Sequence, residues 1–309
     1  MNHSTKAHMA VLGTNLFFAA NFTFVKMISP ALIGAFGVNV YRAGLSLLLF
    51  WAVWLLGNTK AGIERRHWGR FALCGLFGVA INQMLFLKGL TLTSTVHASL
   101  LTLTTPLLIT VFALWVLKER LTLFKALGLA LGIGGSALLI LSKESSTHAP
   151  NYLLGDAMIM LNAVFYAFYF ILVKPLMEHY SPLHVIRWAF TIGFFMILPF
   201  GWGQAVSADF AAFEVQHFVA LAWVVVMGTF LAYYFNIYGI QHLGAGTTGA
   251  YIYTQPVFAV IIAALVLGEE ISWQKALAGA LIFAGVYLVN RKKVPTPKGE
   301  RYAQALPNE

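Results

Sequence analysis

Two arginines stand where charge is expensive. Arg42, in VNVYRAG, and Arg187, in LHVIRWA, interrupt otherwise apolar stretches, and a guanidinium at the middle of a hydrocarbon slab costs about 2.5 to 3.5 kcal/mol even on insertion scales. Arg42 can attract a substrate carboxylate, or it can pair structurally with backbone carbonyls or tyrosines; its recurrence as Arg187 speaks for the architectural role. Other polar groups fall at similar depth: Asn15, Asn21, Asn82, Gln83, Thr104, Asn162, Asn236 and Gln255, with Tyr166, Tyr169, Tyr233, Tyr251 and Tyr253 close by. Some of these must only join helices, since interhelical polar contacts average about 0.6 kcal/mol. A set of phenol faces and amides suits an amphipathic organic solute. Carboxylates are missing from the centre of every apolar run: Asp156 lies at the start of one, and Glu119 and Glu269 lie at the ends of others. Proton pumps generally use intramembrane carboxylates or histidines, which leaves mainly His97, and a single histidine is more often structural. Downhill or weakly coupled transfer of a zwitterion or a polar neutral solute is therefore expected.

The elements that must hold these residues are membrane helices. Of 309 residues, 59% are hydrophobic and 10% charged, against about 25% charged in soluble domains, so a water-soluble globule is excluded. Stretches such as LLITVFALWVLKERL do not alternate, which rules out barrel strands. Breaks of Gly, Pro, Asn or charge divide the chain into ten expected spans, at 9–28, 32–56, 69–89, 95–117, 123–141, 152–173, 182–203, 217–239, 246–267 and 273–290, each close to the roughly 20 residues that cross a bilayer. The first carries Asn15, Asn21 and Lys26 without a cleavage pattern and reads as a retained span. Cys74 is the one cysteine, so no intrachain disulfide is expected.

Positive charge orients the spans. With the amino terminus inside, the inner segments carry fourteen Lys or Arg and the outer ones four, namely Lys26, Lys88, Lys143 and Lys275. Both termini are thus expected on the cytoplasmic side of the cytoplasmic (inner) membrane. Shifting the chain by 150 residues reveals a repeat: from Thr104/Thr254 to Leu138/Leu288, 13 of 35 positions are identical, among them Pro106/Pro256, Glu119/Glu269, Lys125/Lys275 and Gly135/Gly285. Five spans per half, an odd number, force the second half to enter upside down. The expected fold is an all-α integral membrane protein of ten transmembrane helices in two inverted five-helix repeats, 1–146 and 147–293, followed by a cytoplasmic tail, 294–309. Inverted repeats are a common transporter architecture, with the substrate site where the halves meet. Pro106 and Pro256 remove backbone donors from what reads as mid-helix and are expected gating hinges. Lys26 and Lys174, near helix ends, read as snorkelling anchors or as gating contacts.

Several segments resemble the EamA-type branch of the drug/metabolite transporter superfamily. AANFTFVK is similar to that family's first helix, with FYFILVK before Pro175 as its partner; VYRAGLSLLL resembles the second-helix arginine motif. LTTPLLITVFALWVLKERLT and YTQPVFAVIIAALVLGEEIS resemble the proline-to-glutamate signature of helices 4 and 9. The resemblance covers nearly the whole chain. It implies ten helices around a central cavity and export or exchange of amino acids, related metabolites or other small organics. It also places Asn82, Gln83, Asn162 and Gln255 on pore-lining helices, together with Tyr166 and Tyr253, and Arg42 completes the expected substrate-binding set.

Other classes fit poorly. The net charge of +9 lies in short loops and in the tail RKKVPTPKGER, with no aromatic-basic stripe, so nucleic acid is not an expected partner. A membrane-embedded enzyme needs clustered His, Cys or carboxylates, and Glu178, His179 and His184 are the only such group, without metal or triad spacing. A receptor or structural role predicts no solute flux. The expected partners are a small-molecule substrate and the lipid bilayer, with no cofactor and no metal; the sequence leaves monomer and homodimer open.

Overall fold

A computed structural model describes residues 3–56, 62–105, 107–108, 111–112, 122–141, 150–243, 251–268 and 271–290. These residues form helices α1 (His3–Ile28), α2 (Ala35–Leu56), α3 (Trp68–Gly75), α4 (Ile81–Leu92), α5 (Thr95–Thr102), α6 (Leu123–Leu141), α7 (Tyr152–Met177), α8 (Pro182–Val206), α9 (Val215–Ala222), α10 (Ala232–Leu243), α11 (Gln255–Leu267) and α12 (Trp273–Asn290). A π-helical segment, Leu76–Ala80, joins α3 to α4, and a second, Trp223–Leu231, joins α9 to α10, so each pair runs on as one long helix. Six helices among the described residues are long and apolar enough to cross a membrane, and α6, α11 and α12 are shorter apolar helices. Large apolar side chains such as Leu56, Leu265 and Trp273 are 90%, 81% and 69% exposed, a surface that suits hydrocarbon and not water.

Local chemistry sets the helix ends. The Ser94 hydroxyl accepts from the His97 N–H at 3.1 Å and starts α5. Asn151 Oδ1 accepts from the Leu154 N–H at the start of α7, and Ser181 caps α8 ahead of Pro182; in each case a side-chain oxygen satisfies an N–H with no partner inside the helix. Gly268, at φ 64°, ends α11 in the left-handed region that glycine tolerates.

Two expected spans differ from the expectation. The helix foreseen over 95–117 is interrupted: α5 ends at Thr102, Leu103 and Thr104 form a turn, and helical geometry resumes at Thr105 and holds at 107–108 and 111–112. Pro106 itself lies outside the described residues. Pro256 does not sit mid-helix: a 3-10 turn, Tyr251–Thr254, precedes it, and it stands in the first turn of α11, where a missing N–H costs nothing. The change of backbone geometry falls on that junction instead of on a proline kink.

Packing repeats the internal similarity of the sequence. The two π segments correspond under the shift of 150, which carries Gly78 onto Gly228. A Cβ on Gly78 would lie 2.3 Å from the Tyr169 ring, and one on Gly228 would lie 2.3 Å from Asn21. Asn21 and Tyr169 correspond in turn when Lys26 is placed on Lys174. The seam between α6 and α12 follows the same rule: a Cβ on Gly135 would meet the Ala278 carbonyl at 2.9 Å, and one on Gly285 would meet the Gly128 carbonyl at 2.5 Å. Gly128 is the repeat counterpart of Ala278. Elsewhere α2 packs along α8, α4 along α7, and α1 along α10 and α11. Two large apolar clusters result, one around Phe22, Ile28, Leu90, Leu101 and Ile159 and one around Phe50, Phe71, Leu176, Phe190 and Ile197.

Gly285→Ala should therefore destabilise the protein by about 1–3 kcal/mol, as overpacking does, whereas Gly134→Ala, with nothing within 4 Å, should be neutral or slightly stabilising. Thermal unfolding of the two variants in detergent checks the contrast.

Candidate functional site

A cavity of about 160 Å³ lies between α1, α2, α4, α5, α7, α10 and the start of α11. Helical spacing explains its walls: Thr14, Phe18, Asn21 and Phe22 share one face of α1, and Asn162 and Tyr166 are one turn apart on α7. Arg42, Asn82, Gln83, Asn162, Tyr166 and Gln255 all line it, so six of the seven expected binding residues converge. Tyr253 lies in the 3-10 turn beside Ile252, and its side chain is outside the described residues. Lys26 is in the last turn of α1, half-buried, and does not line the cavity.

Arg42 is 4% exposed and carries the one formal charge among the described lining residues. Its Nε–H donates to Thr229 Oγ1 at 2.7 Å. Thr229 in turn donates to the Val224 carbonyl, five residues back, at 2.7 Å. The π-helical turn thus supplies the acceptor that orients the threonine, and the threonine holds the guanidinium. Nη1 of Arg42 has no hydrogen-bond partner.

The amides divide into fasteners and free groups. Asn82 Nδ2 donates to the Asn162 carbonyl at 3.3 Å and Asn162 Nδ2 donates to the Asn82 carbonyl at 2.8 Å, a reciprocal clasp between α4 and α7 that leaves both side-chain oxygens outside the pair. Asn15 is satisfied within its own helix through the Val11 carbonyl. Gln83 is different. It is 2% exposed, the Tyr233 hydroxyl lies close to its carboxamide, and neither amide atom completes a well-formed hydrogen bond. Oδ1 of Asn21 is likewise without a partner. Phe18, Phe22, Phe86 and Ile252 make the apolar wall. Phe22 meets Phe86 edge to face with centroids 5.2 Å apart, and both pack into the first apolar cluster. On the second half's side, His8 of α1 hydrogen-bonds the Tyr251 hydroxyl at 2.8 Å.

Two further groups lie away from the cavity. Arg187 stacks its guanidinium against Trp51 and Trp54, with the guanidinium carbon 4.7 and 4.5 Å from the ring centroids, and meets His184 Nδ1 at 2.9 Å. His97 is not alone: its Nδ1 lies 2.8 Å from Asp156 Oδ2, both side chains are fully buried, and the Thr93 hydroxyl donates to the other carboxylate oxygen. Sequence reasoning saw the two residues separately, and their 59-residue separation carried no sign of the contact. It also passed over Thr14, Thr102 and Thr105 as lining residues, because threonines that bond their own helix, as Thr102 does to Ala98, read as ordinary membrane-helix residues.

The model of the EamA-like transporter family matches residues 5–141 and again residues 153–291. The chain belongs to the EamA-like transporter family. It is similar to an uncharacterized transporter of Archaeoglobus fulgidus, 27% identical over 94% of this chain and 99% of that protein. It is also similar to a probable terminal-alkyne amino-acid exporter of Streptantibioticus cattleyicolor, 27% identical over 93% of this chain and 94% of that one. A crystal structure 18% identical in sequence superposes with a TM-score of 0.61 over 92% of this chain and 96% of its own, a likeness of fold. The protein is a multi-pass membrane transporter. At about 160 Å³ the cavity is below the roughly 300 Å³ at which drug-sized sites begin.

Gln83→Leu should leave the melting temperature unchanged or raise it, since it removes buried polar atoms whose lack of partners costs about 1–3 kcal/mol, while lowering transport. Asn82→Ala should lower the melting temperature, because it opens the clasp to Asn162. Parallel unfolding and flux measurements on the two variants check this.

Proposed function

We propose that this transporter exports small carboxylate-bearing metabolites, amino acids and related compounds, across the cytoplasmic membrane by alternating access. The observation that carries the reading is the cavity's charge pattern: one guanidinium with an unpartnered Nη1, surrounded by amides, hydroxyls and aromatic rings, without a carboxylate among the described lining residues. Such a site attracts a carboxylate and accommodates the rest of the solute by hydrogen bonds and ring contacts. The similarity to a probable amino-acid exporter supports the substrate class and the direction. We further propose ten spans in two five-helix halves of opposite orientation, 1–146 and 147–293, with the tail 294–309 and both termini cytoplasmic. The matching close contacts made by the repeat-related glycines, Gly78 like Gly228 and Gly135 like Gly285, support that arrangement. Rocking of one helix group against another would bend the chain at the junction before Pro256 and at Pro106, with Lys26 at the end of α1 as a gating contact.

Reconstituted protein should catalyse counterflow of its substrate without an imposed ion gradient, when a panel of amino acids and simple carboxylates is screened. Arg42→Gln should reduce counterflow of carboxylates by about tenfold or more, the loss of a charge-assisted contact; full activity in that variant would place the site elsewhere. One observation favours a second reading, proton-coupled exchange: the fully buried His97–Asp156 pair. Strict dependence on a proton gradient, abolished by His97→Gln, would establish it. For orientation, a cysteine at Thr122 in a Cys74→Ala background should be shielded from impermeant reagents in intact cells, and one at Ser207 should be labelled.

A further inference from the structure

The two repeat-related arginines end in different surroundings, and one residue accounts for the difference. The helix that carries Arg42, α2, packs against the π segment Trp223–Leu231, and the helix that carries Arg187, α8, packs against its counterpart Leu76–Ala80. The shift of 150 that carries Gly78 onto Gly228 carries Val79 onto Thr229. Thr229, fully buried, offers a hydroxyl that accepts from Arg42 Nε. Val79, 3% exposed, offers only methyl groups. Arg187 accordingly has an Nε without a partner and turns to Trp51, Trp54 and His184. The residues one turn on behave in parallel. Ser46 bonds the Val225 carbonyl of its π segment at 3.1 Å, whereas Thr191 bonds its own helix and accepts from Trp51 Nε1.

We propose that Thr229 is the positioning residue that makes Arg42, and not Arg187, the carboxylate-reading group of the cavity. Anchored at Nε, the guanidinium keeps its Nη1 donor free within a wall that also holds Gln83 and Asn21, both with unpartnered atoms. Thr229 is not a lining residue, so it acts on the solute only through Arg42. The inference rests on the transport reading above and deepens it: the solute's carboxylate sits at the Arg42 and Gln83 end, and its apolar part lies against Phe22 and Phe86.

The test uses the full-length protein in nanodiscs and in proteoliposomes, with Thr229→Val, Thr229→Ser and wild type. In nitrogen-15 spectra of labelled arginine, the Arg42 Nε–H resonance should be protected from solvent in wild type and in Thr229→Ser, and should lose that protection in Thr229→Val. L-leucine and acetate should shift the Arg42 guanidinium resonances, but not those of Arg187, and L-leucinamide, which lacks a carboxylate, should leave both unmoved. Thr229→Val should raise KM for L-leucine counterflow by about tenfold with little change in the maximal rate, the effect of losing one hydrogen bond to a charged group, and Thr229→Ser should restore it. An Arg42 resonance in wild type that answers to neither carboxylate overturns the proposal whether or not flux is seen, as does an unaltered Nε–H signal in Thr229→Val. If Arg42 answers to carboxylates and depends on Thr229 while no solute crosses the membrane, the binding inference stands and the transport reading fails.

Discussion

The cost of keeping a guanidinium inside hydrocarbon organises the centre of this molecule. A carboxylate partner would neutralise it, but would also occupy its donors. The chain instead gives Arg42 a neutral anchor. A π-helical turn places the Val224 carbonyl within reach of Thr229, and Thr229 accepts from the guanidinium. Because π turns concentrate at functional positions in helices, the widened turn and the buried charge are parts of one arrangement. The amides around it serve two purposes: Asn82 and Asn162 clasp α4 to α7, while Gln83 stands beside the Tyr233 hydroxyl in the cavity wall.

The geometry of the walls follows from close backbone approach. Glycine at 78 and 228 lets Tyr169 and Asn21 cross the two π segments, and the crossing brings α1 and α7 against the long helices that carry the site. The aromatic pair of Phe22 and Phe86 then separates the polar interior from the apolar cluster around Ile28 and Leu90. The cavity wall thus combines one cation with amides and aromatic rings.

Much of this was legible in the residues themselves. Apolar runs of membrane length marked the helices, and the cost of buried polarity picked out Arg42, Gln83, Asn162 and Gln255 without knowledge of their neighbours. The internal repeat brought corresponding elements to light because Pro, Glu and Lys recur at a fixed offset. What escaped depends on contacts across the sequence. Thr93, His97 and Asp156 look like isolated helix-end residues until α5 meets α7. Arg42 and Arg187 look equivalent until Thr229 and Val79 are set beside them. Pro256 looks like a helix breaker in the middle of an apolar run, whereas the backbone enters the α-helix only one residue before it. The π turns have no pattern of their own in the apolar sequences that adopt them.

The seam between α6 and α12 has a consequence for how such a chain can diverge. Its close contacts come as two copies, Gly135 on the Ala278 carbonyl and Gly285 on the Gly128 carbonyl, so a bulkier residue in either copy would wedge apart a joint shared by both halves. After a duplication, drift at such a place is blocked in each copy separately. At positions 79 and 229, by contrast, a methyl and a hydroxyl of nearly equal size can be exchanged without disturbing the packing. A duplicated chain can thus let the surroundings of its two arginines diverge while the glycines of the seam stay alike.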